Sequence, residues 1–547
     1  LAVQLLMRRY CGHPQSPMCW TKVLVNMIYL NAKGVIVRAL DQFRVKSCID
    51  FKVHDSETYY LKIQKLTGYF LNGQDLSIGA GCDWISIAEH EILHALGFYH
   101  EQSRYDRDDY VQIIWSNILS GQQHNFDKVS SSVSTAHGTP YDYWSVMHYG
   151  KDAFTNGNGS TVITIDPKYQ DVIGQNLEMS SLDVKELNLL YHCNSTVAFM
   201  LYCGFSNGTT CQMNQCSQGG NPWKVVTQVT AGPSSDHTTL PTGNQETGYF
   251  MHASTASGQQ GDSARLETKV MSPKRGCNVQ CLQFYYFNSG NESDALNIWI
   301  REFQNDKDST GILRLVGQVQ GNTSYWKLHV VSLNATTKFQ VVFEVRKGAG
   351  SSKGGFSIDD INLSETECPH VILQIDNLVN RLNTDASGTR IYSPRQYSKN
   401  GYAYRVAAIL YKTFVGMYVQ LLSGVNDNQL QWPCLKRQMN FQLLDQTPNK
   451  QEQMTKQSNF VSTNVWSNPR ETGVGVFYDN GELVYGKPLW GYSYFAQIND
   501  LQTREVLKGG SAIFMFNFEG ELQLSSMQDT QNTSYTQNKT NTVLRIS

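Results

Sequence analysis

The sequence predicts a multidomain protein in which an α+β domain is followed by two all-β sandwich domains. Three observations predict it. At 547 residues the chain exceeds what one core organises; at about 150 residues per domain it holds three or four. Up to roughly residue 195 the pattern mixes helices and strands, and after residue 198 helices become scarce and short β-branched and aromatic runs take over.

In the first segment Asn31 to Lys46 places Val35, Ile36, Val37, Leu40, Phe43 and Val45 mostly at helical spacing. Cys48–Phe51, Thr58–Ile63 and Asp75–Ile78 read as short strands, and Trp84–Leu96 as a helix. Beyond 198, Gln283–Phe287, Leu296–Ile300, Lys327–Val331 and Phe339–Phe343 are strand-like runs punctuated by Gly, Asn and Ser, the pattern of a sandwich. A second β block follows Cys368, with strands at Tyr402–Leu410, Met417–Leu422 and Gly473–Tyr478 and turns at Ser393-Pro394 and Asn480-Gly481. The domains expected are 1–195, with residues 1–20 atypical, 198–368 and 369–525; 526–547 reads as a polar tail or linker. No short-period repeat is present.

Composition excludes several classes. Forty-five Lys plus Arg against 47 Asp plus Glu leave a net charge of −2, without the basic stripe that nucleic-acid binding needs. No apolar run is long enough for a spanning helix, and Val406–Leu422, the most apolar region, carries Lys412, Thr413 and Gln420. The chain opens at Leu1 without a basic segment ahead of its first apolar run and reads as a fragment lacking a complete secretory signal. Twelve cysteines and nine N-x-[ST] sequons, at Asn158, Asn194, Asn207, Asn291, Asn322, Asn334, Asn362, Asn532 and Asn538, point to the secretory route and an extracellular or cell-surface location.

The chemistry is concentrated in Ala88–Arg104, AEHEILHALGFYHEQSR, which contains HExxHxxGxxH as His90, Glu91, His94, Gly97 and His100. On a helix His90 and His94 share a face, so both imidazoles can reach one zinc. Glu91 lies about 100° round, beside the metal, placed to take a proton from water as general base. Gly97 permits the turn that brings His100 back as third ligand. Histidines are usually packing or surface residues, but with 13 in 547, three at fixed positions recur only about once in 75,000 windows, before the motif's Glu and Gly are demanded. Three nitrogens with an open position are a catalytic set; structural zinc sites close all four, usually with cysteine. Downstream, Ser145-Val146-Met147-His148-Tyr149 supplies the Met-turn of a metzincin.

The motif helix, its continuation from His100 to Val111 and the SVMHY turn resemble the astacin family of zinc endopeptidases. The resemblance implies that Tyr149 approaches the zinc and stabilises the oxyanion, that Met147 supports the histidine shell, and that Glu101 meets the mature amino terminus. Cys203 and Cys211, Trp223, Gly232-Pro233, Asp236-His237-Thr238, Gly248-Tyr249-Phe250 and Phe356–Ile361 resemble a MAM (jelly-roll-like) domain. Gly424-Val425-Asn426-Asp427, Leu430–Pro433 and Leu443–Gln446 resemble a MATH (TRAF-like) domain. Astacin, MAM and MATH in that order is the layout of the meprins, and the β-rich half is nearer their β than their α subunits. The implied disulfides are Cys48–Cys193, Cys203–Cys211 and Cys281–Cys368, leaving Cys11, Cys19, Cys82, Cys216, Cys277 and Cys434 unassigned.

Against the family pattern, Thr67–Leu71 lacks the cysteine of a second catalytic-domain disulfide, and Gly243–Glu246 lacks the intersubunit cysteine, so non-covalent homo- or hetero-oligomers through MAM and MATH are expected. Gln122 and Asn176 replace the basic pocket residues associated with a preference for acidic substrate residues, so that preference loses its charge partner. The expected activity is hydrolysis of internal peptide bonds in polypeptides with one zinc per chain. The rival is a catalytically impaired adhesion or assembly protein acting through its MAM and MATH domains.

Overall fold

The computed structural model describes residues 22–26, 30–53, 61–64, 74–78, 82, 84–240, 248–462, 466–519 and 542–546. They form two compact units, one built mainly from the first 197 residues with 454–461 and 542–546, the other from 198–453 with 462–519.

The first unit carries a five-stranded sheet containing β1 (Lys22–Asn26), β2 (Phe51–Val53), β3 (Leu61–Gln64) and β4 (Gln74–Ser77). The fifth strand, Thr542–Ile546, lies between β2 and β1, and β1, β3 and β4 run parallel with β4 at the edge. Part of the expected polar tail is therefore a sheet strand: Thr-Val-Leu-Arg-Ile can pair through its backbone whatever the polarity of the chain before it. Cys48–Phe51 also differs from expectation. Ser47 Oγ donates to Phe43 O at 2.7 Å and accepts Ile49 N at 3.1 Å, a side-chain turn that delays the strand to Phe51.

Helices α1 (Leu30–Lys46) and α2 (Ile85–Ala95) pack together, joining Val35, Ile36, Ala39, Leu40 and Phe43 to Ile85, Ala88, Ile92 and Leu93 in one core. Helix α3 (Ser181–Leu190) adds Leu187 to it and starts with a capping box between Ser180 and Asp183. A smaller core of Val111, Ile113, Phe126, Tyr141 and Val162 lies under the antiparallel pair Val111–Ile113 and Val162–Thr164.

The second unit begins as a sandwich of two antiparallel sheets. One is ordered Lys327–Ser332, Cys281–Asn288, Gly355–Ser364, Phe250–Ser254, Lys224–Val226, with Phe199–Cys203 also on Gly355–Ser364. The other is Ile312–Gln320, Ala295–Phe303, Lys338–Arg346, Ser263–Glu267, Asn214–Gln218. After Cys368, Val371–Ile375, Ala512–Glu519 and Gln438–Leu443 form one sheet of the last domain; Ala403–Leu410 and Phe414–Leu422 centre the other. Asn480 and Gly481 both take positive φ, 50° and 82°, in a two-residue hairpin between Val474–Asp479 and Glu482–Gly486. The two β domains share a cluster of Phe250, Tyr285 and Trp326 with Leu444, Ile513 and Met515, and so pack as one body.

The three expected disulfides are all formed. Cys82, Cys216, Cys277 and Cys434 are free thiols; Cys11, Cys19, Thr67–Leu71 and Gly243–Glu246 lie outside the described residues. Among the sequons, Asn158, Asn194, Asn207, Asn322 and Asn334 are exposed and Asn291 is half-buried, whereas Asn532 and Asn538 lie outside the described residues. Asn362 contradicts the glycosylation expectation. It is buried, its Nδ2 donates to Asp360 O at 3.1 Å and Pro448 O at 2.8 Å, and its Oδ1 accepts Lys450 N at 3.0 Å. Its carboxamide is consumed by contacts inside the folded unit.

Burial holds His252 and His329 at about 4 instead of the usual 6.5, so both are neutral in the folded unit. The unfolded chain binds their protons first as pH falls, so their contribution is complete above about pH 6.5 and is lost progressively towards pH 4. Chemical denaturation midpoints should decline across that window. His329→Leu should flatten the decline, because His329 Nε2 is buried without a hydrogen-bond partner among the described residues and its removal leaves none of them stranded.

Candidate metal centre

Helix α2 is apolar on one side and carries the motif on the other. Ile85, Ala88, Ile92 and Ala95, at i, i+3, i+7 and i+10, are buried, while His90, Glu91 and His94 are only partly covered. The helix ends at Leu96, and Gly97 then takes φ +106°. A Cβ at Gly97 would meet only Leu190 Cδ2, at 4.0 Å, so the backbone conformation and not crowding demands glycine here. Gly97→Ala is expected to cost about 1–3 kcal/mol of backbone strain, seen as a lower thermal midpoint and weaker retention of metal against a chelator.

The turn brings His100 back to the helix. One ring nitrogen from each of His90, His94 and His100 lies within 4.8 Å of the others, with His94 Nε2 and His100 Nε2 3.2 Å apart. The other face of two rings is tied down: His90 Nδ1 to Val146 O and His94 Nδ1 to Phe98 O, both at 2.8 Å. A carbonyl can only accept, so Nδ1 carries the proton and Nε2 keeps its lone pair for a cation. Burial lowers all three histidines, and with the repulsion of their neighbours it brings His90 to about 4 and His100 to about 2. Three converging neutral imidazoles with no fourth His, Cys, Asp or Glu donor among the described residues fit a zinc ion with an open position.

Burial raises Glu91 to about 7. Tyr149 packs its ring 4.4 Å from that of His100, against Phe126 and Phe154, and burial raises its hydroxyl to about 12. Its amide donates to Gln102 Oε1 at 2.9 Å. Arg107, buried, donates to the carbonyls of Gln102 and Phe126 and so ties down the wall behind Tyr149. Met147 is buried in the α1–α2 core, and its carbonyl accepts Glu101 N at 3.0 Å. The Glu101 carboxylate, which the family resemblance assigns to the amino terminus, accepts Asp142 N at 2.8 Å and pairs with Arg104 at 3.2 Å. The first 21 residues lie outside the described residues.

Gln122 and Asn176 sit on separate loops. Gln122 Oε1 accepts Asn125 Nδ2 at 2.8 Å, and Asn176 is exposed. Asn176 follows Gly174, where a Cβ would lie 2.3 Å from Gly150 Cα, so its loop is pressed against the residue after Tyr149. A cavity of about 400 Å³ beside Gly150 is lined by Lys151, Asp152, Ala153, Gln170, Asp171 and Ile173, and includes neither Gln122 nor Asn176. Sequence reasoning missed Gln102, Arg107 and Asp183, which act through backbone groups; only Asp183 left a signal, the S-x-x-D capping box at Ser180.

The family model for the Astacin peptidases matches residues 19–192, that for the MAM domain, meprin/A5/mu, residues 203–369, and that for the MATH domain residues 370–518. The chain is 44% identical to human Meprin A subunit beta over 92% of its own length and 74% of the relative's. It is 36% identical to rat Meprin A subunit alpha over 91% of its own length and 69% of the relative's. Among solved structures, High choriolytic enzyme 1, a hatching enzyme zinc-protease from medaka, is similar at 36% identity over 31% of this chain and 88% of that one, with a TM-score of 0.29. Domain order, identity across nearly the whole chain and the triple-histidine site agree: the chain belongs to the meprins, zinc metalloendopeptidases of the astacin family that carry MAM and MATH domains.

Proposed function

We propose that the chain binds one zinc through His90, His94 and His100 and hydrolyses internal peptide bonds of polypeptides with Glu91 as general base. The observation that carries this is the convergence of three nitrogens, two of them on rings whose opposite faces are fixed by carbonyls. Zinc held there would supply Lewis acidity, acidifying a water and polarising the scissile carbonyl. Glu91, next to His90 on the same helix, takes the proton of the attacking water and returns it to the leaving amine; a carboxylate raised to about 7 can do both near neutrality. Tyr149, held protonated by its burial, donates a hydrogen bond to the developing oxyanion. β4, at the edge of its sheet among the described strands, is proposed to align an extended substrate through its backbone.

Three disulfides and five exposed sequons support a secreted or cell-surface location. No helix among the described residues is long and apolar enough to cross a membrane. The joined MAM–MATH body is the proposed surface for homo- or hetero-oligomers, and Gln122 and Asn176 are proposed to line a substrate pocket with no preference for acidic residues. Elemental analysis together with cleavage of a peptide library tests the central reading: one zinc per chain and internal cuts are expected. A chain that holds zinc but cuts nothing would favour the adhesion reading.

A further inference from the structure

The turn Ser145–Tyr149 grips the metal site at two points, through Val146 O on His90 and Met147 O on the amide that follows His100. Gln102 holds the far end of the turn at Tyr149 N, and its first two residues are held by one buried side chain at the start of α3. Asp183 Oδ1 accepts Ser145 Oγ at 2.6 Å, and Oδ2 accepts Val146 N at 2.9 Å. Ser145 Oγ in turn accepts Met147 N at 3.0 Å. One carboxylate therefore fixes the amide of the residue whose carbonyl orients His90, and the hydroxyl just before it.

A helix cap alone would need less. Capping of α3 uses the bond from Ser180 N to Asp183 Oδ2, 2.9 Å, and those from Leu182 N and Asp183 N to Ser180 Oγ. The two bonds to Ser145 and Val146 add nothing to the cap. Oδ2 accepts two backbone N–H groups and Oδ1 the Ser145 hydroxyl, so an amide in its place would turn an NH₂ towards Ser145 Oγ, reverse that bond and leave the hydroxyl proton without its acceptor.

We infer that Asp183 is a positioning residue of the metal centre, acting through Ser145 and Val146 on the hydrogen bond that orients His90. This rests on the zinc-peptidase reading above. The test compares Asp183→Asn and Ser145→Ala with Ala39→Gly, which loosens α1 in the same core without touching the turn. Zinc affinity is read by competition with a chromophoric chelator, ligand geometry by the visible absorption of the cobalt-substituted protein, and kcat and KM separately on one peptide. Asp183→Asn should bind zinc about 10- to 100-fold more weakly, the usual effect of losing a group behind the ligands, with a changed cobalt spectrum, lower kcat and little change in KM. Ser145→Ala should shift the same readouts in the same direction, and Ala39→Gly only the thermal midpoint. If Asp183→Asn keeps the parent's zinc affinity and cobalt spectrum, or changes them no more than Ala39→Gly does, the inference is overturned and Asp183 is a helix cap. Should Asp183→Asn fail to fold, an unchanged affinity and spectrum in Ser145→Ala overturns it equally. A parent protein that binds neither metal would sink the zinc-peptidase reading and this inference together, whereas a metal-binding parent with an indifferent Asp183→Asn sinks only the latter.

Discussion

Glu91→Gln is expected to lower kcat by about 10²- to 10⁴-fold, the range for removing a general acid–base group, while zinc content and thermal midpoint stay near those of the parent. The asymmetry follows from the surroundings of Glu91. Its carboxylate makes no hydrogen bond to protein among the described residues, and burial already disfavours its charge. A neutral amide of the same shape therefore strands no partner and relieves a desolvation cost. What it cannot do is accept a proton and hand it on. Steady-state kinetics on one peptide and a zinc assay on the same sample decide the matter. A variant retaining more than about a tenth of the parent kcat, a loss of under about 1.4 kcal/mol, would remove Glu91 from the proton-transfer role.

Stripping the metal should have the larger effect still, because it acts on stability and activity together. With the ion gone, three imidazoles crowd their lone pairs into a space within 4.8 Å. Zinc at about 1,000 times its dissociation constant contributes about 4 kcal/mol to the folded state, and each kcal/mol is worth about 2–4 °C in a unit of this size. A chelator should therefore abolish cleavage and lower the midpoint of the catalytic unit by roughly 10 °C. Added zinc should restore both. His94→Ala should respond to neither chelator nor zinc, and full activity surviving exhaustive chelation would exclude a metallopeptidase.

The ligands were legible because their chemistry depends on side-chain identity at fixed helical spacing: His90 and His94 need only a helix, and Gly97 only a turn. Tyr149 and the disulfides became readable through family resemblance, not through spacing. Arg107, Gln102 and Asp183 were harder, because they work by holding backbone carbonyls and amides, and no residue pattern reveals which distant loop a side chain will reach. The Cys48–Phe51 strand failed for a local reason, the hydroxyl of Ser47 bonding its own neighbours. The strand at Thr542–Ile546 was lost in the polar composition around it, since composition averages over windows wider than the five residues of that strand.

On the proposed secretory route, the burial of Asn362 would set an order of events during biosynthesis. Oligosaccharide would be transferred to Asn-Leu-Ser only while the segment is unfolded, so a modifying enzyme and the folding chain would compete for the same nitrogen. Once Pro448 and Lys450 have closed over it, that competition has ended. A molecule that acquired a sugar first could not bring the segment around residue 448 against the strand Gly355–Ser364. In the mature protein the number of attached chains should therefore fall at least one short of the number of acceptor sequences.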